Sequence, residues 1–211
     1  LVRESSLQGI TVKVTTHDSH CLIESSLIGA FNAENLLLAH AVLCLWGINP
    51  QEGAKALSAI PSIPGRMQRL QFSSLPCEVI VDYSHTPAAL ERVLTELDRL
   101  KENRLWVVFG CGGDRDTEKR PLMGAIAERL ADEVVLTDDN PRSESSLKII
   151  ADIKQGMKCP QYTHVIANRG DAIRFALREA CENDIVLISG KGHETIMETA
   201  VGKVYFSDMQ K

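Results

Sequence analysis

Residues 105–142 read LWVVFGCGGDRDTEKRPLMGAIAERLADEVVLTDDNPR, and the order of features in this stretch decides the fold. Leu105 to Phe109 is an apolar run of strand length, broken at Gly110, Gly112 and Gly113. A loop dense in Asp and Arg, Asp114 to Arg120, leads into an amphipathic segment over Pro121 to Leu130. A second apolar run, Val134 to Thr137, stops at Asp138-Asp139-Asn140-Pro141-Arg142. There Pro141 lacks an amide hydrogen and drives Asn140 toward an extended or turn backbone. The reading is strand, glycine turn, helix, parallel strand. Both charged loops then stand past the carboxyl ends of strands, the rim on which open α/β sheets bind ligands.

The same alternation extends outward from about Phe72. Strands are expected at Glu78–Asp82, Leu105–Phe109, Glu133–Thr137, Tyr162–Ile166, Ile185–Ser189 and Val204–Phe206, and helices at Pro87–Lys101, Pro121–Leu130, Ser145–Gly156 and Arg169–Cys181. Strands alternating with helices imply a Rossmann-like α/β domain, a mostly parallel six-stranded sheet flanked by helices. Residues 1–71 have another texture. A loose alternation (Ile10, Val12, Val14; Cys21, Ile23) around Thr16-His17-Asp18-Ser19 predicts a hairpin, and Ala33 to Trp46 a buried helix ended by Gly47. A short helix over Gln51 to Ala59 comes next, then a Pro/Gly-rich connector from Ile60 to Arg66. The domain boundary is expected near residue 72.

With 44% hydrophobic and 24% charged residues, a chain of 211 has enough apolar material for one large or two small cores, and disorder is excluded. A net charge of −5 gives no basic field for nucleic acid, and no stretch approaches the roughly 18 apolar residues of a membrane helix. Six cysteines lie far apart without a CxxC pair, which speaks against a zinc site or disulfide framework and for a reducing cytoplasm. The chain begins without methionine, and a piece of a longer protein is expected.

Gly110 to Arg115 lacks both GxGxxG spacing and GxxxxGK[ST], so glycines serving only a tight βα turn compete with a phosphate-binding reading. Chemical density favours a ligand. Arg115, Arg120, Asp139, Asn140 and Arg142 converge on one rim, and arginine forks suit carboxylate or phosphate. A third rim loop, Ser189 to Glu194, adds glycines and an acid that accepts from an ammonium group; cations and an anion together suit a zwitterionic amino acid. Asp82-Tyr83-Ser84-His85-Thr86-Pro87 puts an acid, hydroxyls and a histidine before a helix, with Thr86 read equally well as an N-cap. No spacing marks a nucleophile set, so no catalytic residue is named, and His17 and His20 lack partners for a metal site.

Taken in order, Leu27 to Asn35, Pro64-Gly65-Arg66-Met67, Asp82 to Pro87, Gly110 to Pro121, Asp139-Asn140-Pro141-Arg142 and Gly190-Lys191-Gly192-His193-Glu194 resemble the Mur ligase family, specifically its members that add meso-diaminopimelate to UDP-N-acetylmuramoyl-L-alanyl-D-glutamate. The resemblance covers almost the whole chain; Ala30, Ala33 and Ser84 depart from the usual pattern. It implies residues 1–71 as the C-terminal portion of a central ATP-binding domain and residues 72–211 as the amino-acid-binding domain. The UDP-binding domain, the phosphate loop and most Mg2+ ligands of the family would be missing, which leaves the chain inactive alone.

By resemblance, Arg115, Asp139, Asn140, Pro141, Arg142, Gly190 and Glu194 bind meso-diaminopimelate, and Asn32, Asn35, Arg66, Asp82 and His85 bind ATP. The implied cofactors are ATP and Mg2+, and the implied reaction is amide formation through an acyl phosphate in peptidoglycan precursor synthesis. The implied partners are small-molecule substrates, with neither nucleic acid nor membrane, acting on a cytoplasmic monomer. Alternatives are a non-catalytic amino-acid-binding module and a lysine-adding or folylpolyglutamate-type sister ligase. A dinucleotide oxidoreductase shares the fold class but would need a GxGxxG with a ribose acid about 20 residues on.

Overall fold

The computed structural model describes residues 2–15 and 20–210, so the expected turn at Thr16 to Ser19, with His17, lies outside the described residues. Contacts divide the chain into two compact units, Leu1–Ile63 and Pro64–Lys211.

In the first unit, β1 (Val2–Ser6), β2 (Gly9–Thr15) and β3 (His20–Ser25) form an antiparallel sheet in that order, so the expected hairpin gains a third strand. The alternation has its usual cause. Ile10, Val12, Cys21 and Ile23 point to one face and join Leu27, Ala33, Leu36, Ala54 and Leu57 in a core. The helices are α1 (Asn32–Leu45) and α2 (Pro50–Ser58). Gly47, at φ +85°, closes α1, with Gly47 N–H donating to Cys44 O and Ile48 N–H to Leu43 O. The expectation of a fully buried α1 is corrected. Ala33, Leu36 and His40 are its buried residues, whereas Leu45 is 86% and Trp46 78% exposed.

The second unit holds a six-stranded sheet in the order β4-β5-β9-β6-β7-β8. Its strands are β4 (Gln68–Leu70), β5 (Glu78–Asp82), β6 (Leu105–Phe109), β7 (Glu133–Leu136), β8 (His164–Val165) and β9 (Ile185–Ser189). All pairings are parallel except β4 with β5. Every residue of β6 and β9 is buried, as a central strand covered on both faces requires. The helices are α3 (Pro87–Leu100), α4 (Lys119–Leu130), α5 (Ser146–Lys154) and α6 (Arg169–Glu179). Of these, α6 lays Ala172, Ile173 and Ala176 on Val108, Val135, Val186 and Ile188. Thr86 caps α3 by accepting from Ala89 N–H, which satisfies the N-cap reading of that residue.

Three expectations are corrected here. The sixth strand is β4, not Val204–Phe206. Residues 196–205 instead form a separate hairpin, β10 (Ile196–Thr199) with β11 (Gly202–Tyr205). A parallel return from β9 would need a crossover, usually helical, and none separates these segments. Because β4 pairs with β5, residues 64–71 belong to the second unit, and the compact units part at Ile63/Pro64 rather than near residue 72. Tyr162 lies in a 3-10 turn (Pro160–Tyr162), which shortens the strand expected at 162–166 to two residues.

The strand order places β9 between β5 and β6, so the loop after β9 emerges between the loops after β5 and β6. A buried clamp ties this region to the chain's last turn. Fully buried Arg169 donates Nε and Nη2 to the two Asp208 carboxylate oxygens at 2.7 and 2.8 Å, Nη2 to Ser189 O and Nη1 to Asp138 O. Asp208→Ala would strand this guanidinium without its counter-charge. The second unit should lose about 3–5 kcal/mol in urea unfolding, and a loss below about 1 kcal/mol would contradict the clamp.

Candidate functional site

Four loops at the carboxyl ends of β5, β6, β7 and β9 enclose a cleft of about 490 Å3 lined by Tyr83, His85, Cys111, Arg115, Asp139, Asn140, Arg142, Gly190 and Glu194, among others. All seven residues expected to bind the amino acid belong to these loops. Arg115 is exposed, Asp139 and Asn140 are buried, Pro141 is buried behind them, and Arg142 is half-buried.

The glycines after β6 have a packing explanation. A Cβ on Gly110 would stand 2.1 Å from Thr137 O, and one on Gly113 would stand 2.0 Å from Pro141 O. Gly113 N–H donates to Asn140 O at 2.9 Å. The β6 and β7 loops thus meet backbone to backbone, which decides for the steric reading of these glycines. Polar contacts complete the join: Asp114 accepts from Ser143 N–H and Oγ, and Glu144 accepts from Asp114 N–H.

Arg120, expected on the rim, is turned into the protein. It is fully buried, with Nη1 and Nη2 on Glu144, Nη1 also on Asp152 and Nη2 on Gly112 O. These bonds from Arg120 hold the Glu144 carboxyl down at about 2. Cys111 is buried beside Met123, and burial pushes its thiol up to about 12, so it offers no thiolate to the cleft.

The chemistry of the site is organised by Lys191, a residue to which the sequence reading gave no role. Its side chain is fully buried, and its ammonium donates to Asn140 Oδ1 at 3.1 Å, Glu194 Oε2 at 3.0 Å and Ile196 O at 2.7 Å, three acceptors for three hydrogens. Asn140 Oδ1 also accepts from Glu198 N–H, and Asn140 Nδ2 donates to Glu194. Glu194 Oε1 accepts from Tyr83 Oη at 3.3 Å. Burial pushes the Glu194 carboxyl up, but Lys191, Asn140 and Tyr83 outweigh it, and the group sits below the usual carboxylate range. Glu194 therefore presents a charged, oriented acceptor on the cleft wall.

Arg142 stands at φ +49°. Its Nε donates to Glu198 Oε2 at 2.8 Å, Nη1 donates to Gly113 O at 2.8 Å, and its own N–H donates to Glu198 O at 3.0 Å. Nη2 and the second Nη1 hydrogen carry none of these bonds, so the end of the fork can take a carboxylate. The β10–β11 hairpin that supplies Glu198 was invisible to sequence reasoning, since nothing in Ile196 to Tyr205 marks a partner for Arg142.

The residues expected to bind ATP fall in both units. Asn32 and Asn35 are on the first turn of α1, where Asn32 Nδ2 donates to Ile28 O and Asn35 Nδ2 donates to Asn32 Oδ1. In the second unit, the Arg66 guanidinium lies 4.9 Å from the Tyr83 ring centroid, and exposed His85 packs edge-on against the same ring. Asp82 is buried, with its oxygens accepting from Met67 and Ser84 N–H, so it already fixes the turn that presents Arg66. Among the described residues, no group of three or more His, Cys, Asp or Glu could hold a metal ion, and no helix is long and apolar enough to cross a membrane.

Fold and cleft together define a Rossmann-like domain with a charged cleft at the carboxyl rim of its sheet. The profile described as Mur ligase, glutamate ligase domain matches residues 65–192, and the chain belongs to this family. It is 47% identical over 204 residues to the UDP-N-acetylmuramoyl-L-alanyl-D-glutamate--2,6-diaminopimelate ligase of Coxiella burnetii, covering 97% of this chain and 42% of that protein. The equally named protein of Pseudomonas aeruginosa is 45% identical over 203 residues, with 96% and 42% covered. The chain thus spans about two fifths of the length of the curated relatives it matches. A solved structure with that enzyme name aligns at TM-score 0.72 and 40% identity, over 99% of this chain and 43% of that one. A folylpolyglutamate synthase of Thermotoga maritima, at TM-score 0.70 and 18% identity over 90% and 42%, shares the fold.

Two measurements test the networks. In Lys191→Met, burial acts on Glu194 without its main counterweight; the carboxyl should titrate higher than in the wild-type chain in carbon-detected NMR, and an unmoved midpoint would refute the assignment. Glu144 is depressed in the folded state, so its contribution to stability is complete above pH about 4.5 and fades as pH falls toward about 2. Glu144→Gln should flatten this acid limb of the urea midpoint; an unchanged limb would mean Arg120 does not depend on that charge.

Proposed function

We propose that this chain is the amino-acid-binding part, with a portion of the ATP-binding part, of an ATP-dependent ligase that adds meso-diaminopimelate to UDP-N-acetylmuramoyl-L-alanyl-D-glutamate. The observation carrying this reading is the pairing of opposite charges on one cleft: Arg115 and Arg142 beside Asp139 and Glu194. The enzyme name borne by the relatives supports it. In this reading, the unit Leu1–Ile63 belongs to the central domain and the unit Pro64–Lys211 to the amino-acid-binding domain, in a cytoplasmic monomer.

Diaminopimelate ends in a carboxylate and an ammonium group. The free end of the Arg142 fork, with Arg115, takes the carboxylate, while Glu194 and Asp139 take the ammonium. L-Lysine lacks the distal carboxylate and would leave Arg142 desolvated without a partner, a penalty on the order of 1–3 kcal/mol. A carboxylate is a poor electrophile, and ATP with Mg2+ would activate the glutamate carboxylate as an acyl phosphate. Arg66, an exposed cation beside the Tyr83 ring, suits a nucleotide phosphate; Asn32, Asn35, Asp82 and His85 complete the proposed ATP contacts, while no residues are assigned to Mg2+. This chain's own part is to bind the amino acid, shield its charges and hold its amine in place for attack.

Calorimetric titration tests the proposal. Meso-diaminopimelate should give heat, L-lysine at least tenfold weaker binding, and Arg142→Ala should bring the two amino acids to similar affinity, as expected when about 1.4 kcal/mol or more of discrimination is lost. Equal binding of both amino acids to the unsubstituted chain would overturn the assignment.

A further inference from the structure

The hairpin β10–β11 meets the proposed site at Ile196, whose carbonyl accepts from Lys191, and at Glu198, which touches it three ways. Its N–H donates to Asn140 Oδ1 at 2.9 Å, its carbonyl accepts from Arg142 N–H at 3.0 Å, and its carboxylate accepts from Arg142 Nε at 2.8 Å. The second carboxylate oxygen lies 3.0 Å from Lys203 Nζ, on the partner strand of the same hairpin. Glu198 therefore brings its own counter-charge. Lys203 with Arg142 holds the Glu198 carboxyl below the usual range.

The geometry of the arginine gives this contact a purpose. A free guanidinium on a four-bond stem samples many rotamers and loses that freedom when it binds. Here Glu198 takes the Nε edge and Gly113 O takes one Nη1 hydrogen, so the side chain is already set while the Nη1/Nη2 end remains for a ligand. We propose that Glu198 is a positioning residue that preorganises Arg142, and with it the discrimination between amino acids with and without a distal carboxylate. This rests on the reading of Arg142 as the carboxylate contact. The rival role, an internal anion competing with the ligand for Arg142, predicts the opposite sign: removing Glu198 would then strengthen binding.

The experiment uses the whole 211-residue chain as wild type, Glu198→Ala and Glu198→Gln. Titration with meso-diaminopimelate and with L-lysine is run beside nitrogen-15 NMR of the Arg142 Nε–Hε group. Glu198→Ala should weaken diaminopimelate about tenfold and leave lysine nearly unchanged, while Glu198→Gln, whose amide oxygen still accepts from Nε, should recover most of the loss. In Glu198→Ala the Arg142 Nε–Hε signal should lose its dispersion and exchange faster with water. Tighter diaminopimelate binding in Glu198→Ala, or an equal loss for both amino acids, would overturn the proposal. So would an unchanged Arg142 signal. Wild-type chain that binds neither amino acid would count against the ligand reading, and the NMR arm would then still decide whether Glu198 holds Arg142.

Discussion

A buried ammonium has no tolerance for missing partners, and Lys191 places one at the centre of the rim. Its side chain has no access to water, yet each of its hydrogens meets an oxygen, from Asn140, Glu194 and Ile196. Those acceptors come from the loop after β7, the loop after β9 and the start of β10. One cation thus fixes how three segments sit, because any displacement would leave a desolvated charge. The rest follows from that demand. Asn140 turns its oxygen to Lys191 and its nitrogen to Glu194, and Glu194 is kept ionised at a half-exposed wall.

Below this polar layer, the sheet supplies rigidity by a different means. The strands β6 and β9 are buried end to end and the Arg169–Asp208 pair locks the carbonyls of Asp138 and Ser189 from behind. Backbone contact between Gly113 and Pro141 leaves no room for even a methyl group between the β6 and β7 loops. Loops are ordinarily the mobile part of an α/β domain. In this rim they are cross-linked to one another by a close backbone approach, a buried arginine at Arg120 and a buried lysine, so the site can hold its shape without a ligand.

How much of this was legible in the sequence depended on range. Period and punctuation gave β5, β6, β7 and β9 and helices α3 to α6 nearly to the residue, because those elements are long, apolar and bounded by glycine or proline. The edge failed for the same reason reversed. β4 is three half-buried residues without alternation, and Val204 to Phe206 has the composition of a strand but too little chain before it to return parallel to β9. The charged loops expected on one rim do line one cleft, yet Arg120 was placed among them and Lys191 was not. Composition cannot tell an arginine that faces a cleft from one that Glu144 and Asp152 draw inward. Nor does it show that a lysine between two glycines is fully buried.

In the proposed reading, charge arithmetic within the rim is what suits it to a zwitterionic end. Lys191 is balanced by Glu194, Arg120 by Glu144 and Asp152, and Glu198 is shared by Arg142 and Lys203. Arg142 has half of its fork engaged and half available, and Glu194 has one oxygen shared between Lys191 and Asn140 and another reached by a long bond from Tyr83. Each is satisfied enough to be stable without a ligand and incomplete enough to gain from one. A ligand carrying a carboxylate and an ammonium together adds no net charge to this balance and completes both partial shells at once. A ligand carrying the ammonium alone completes one and covers the other from water. Discrimination in such a site arises less from the strength of any one contact than from the cost of burying Arg142 with its shell unfinished.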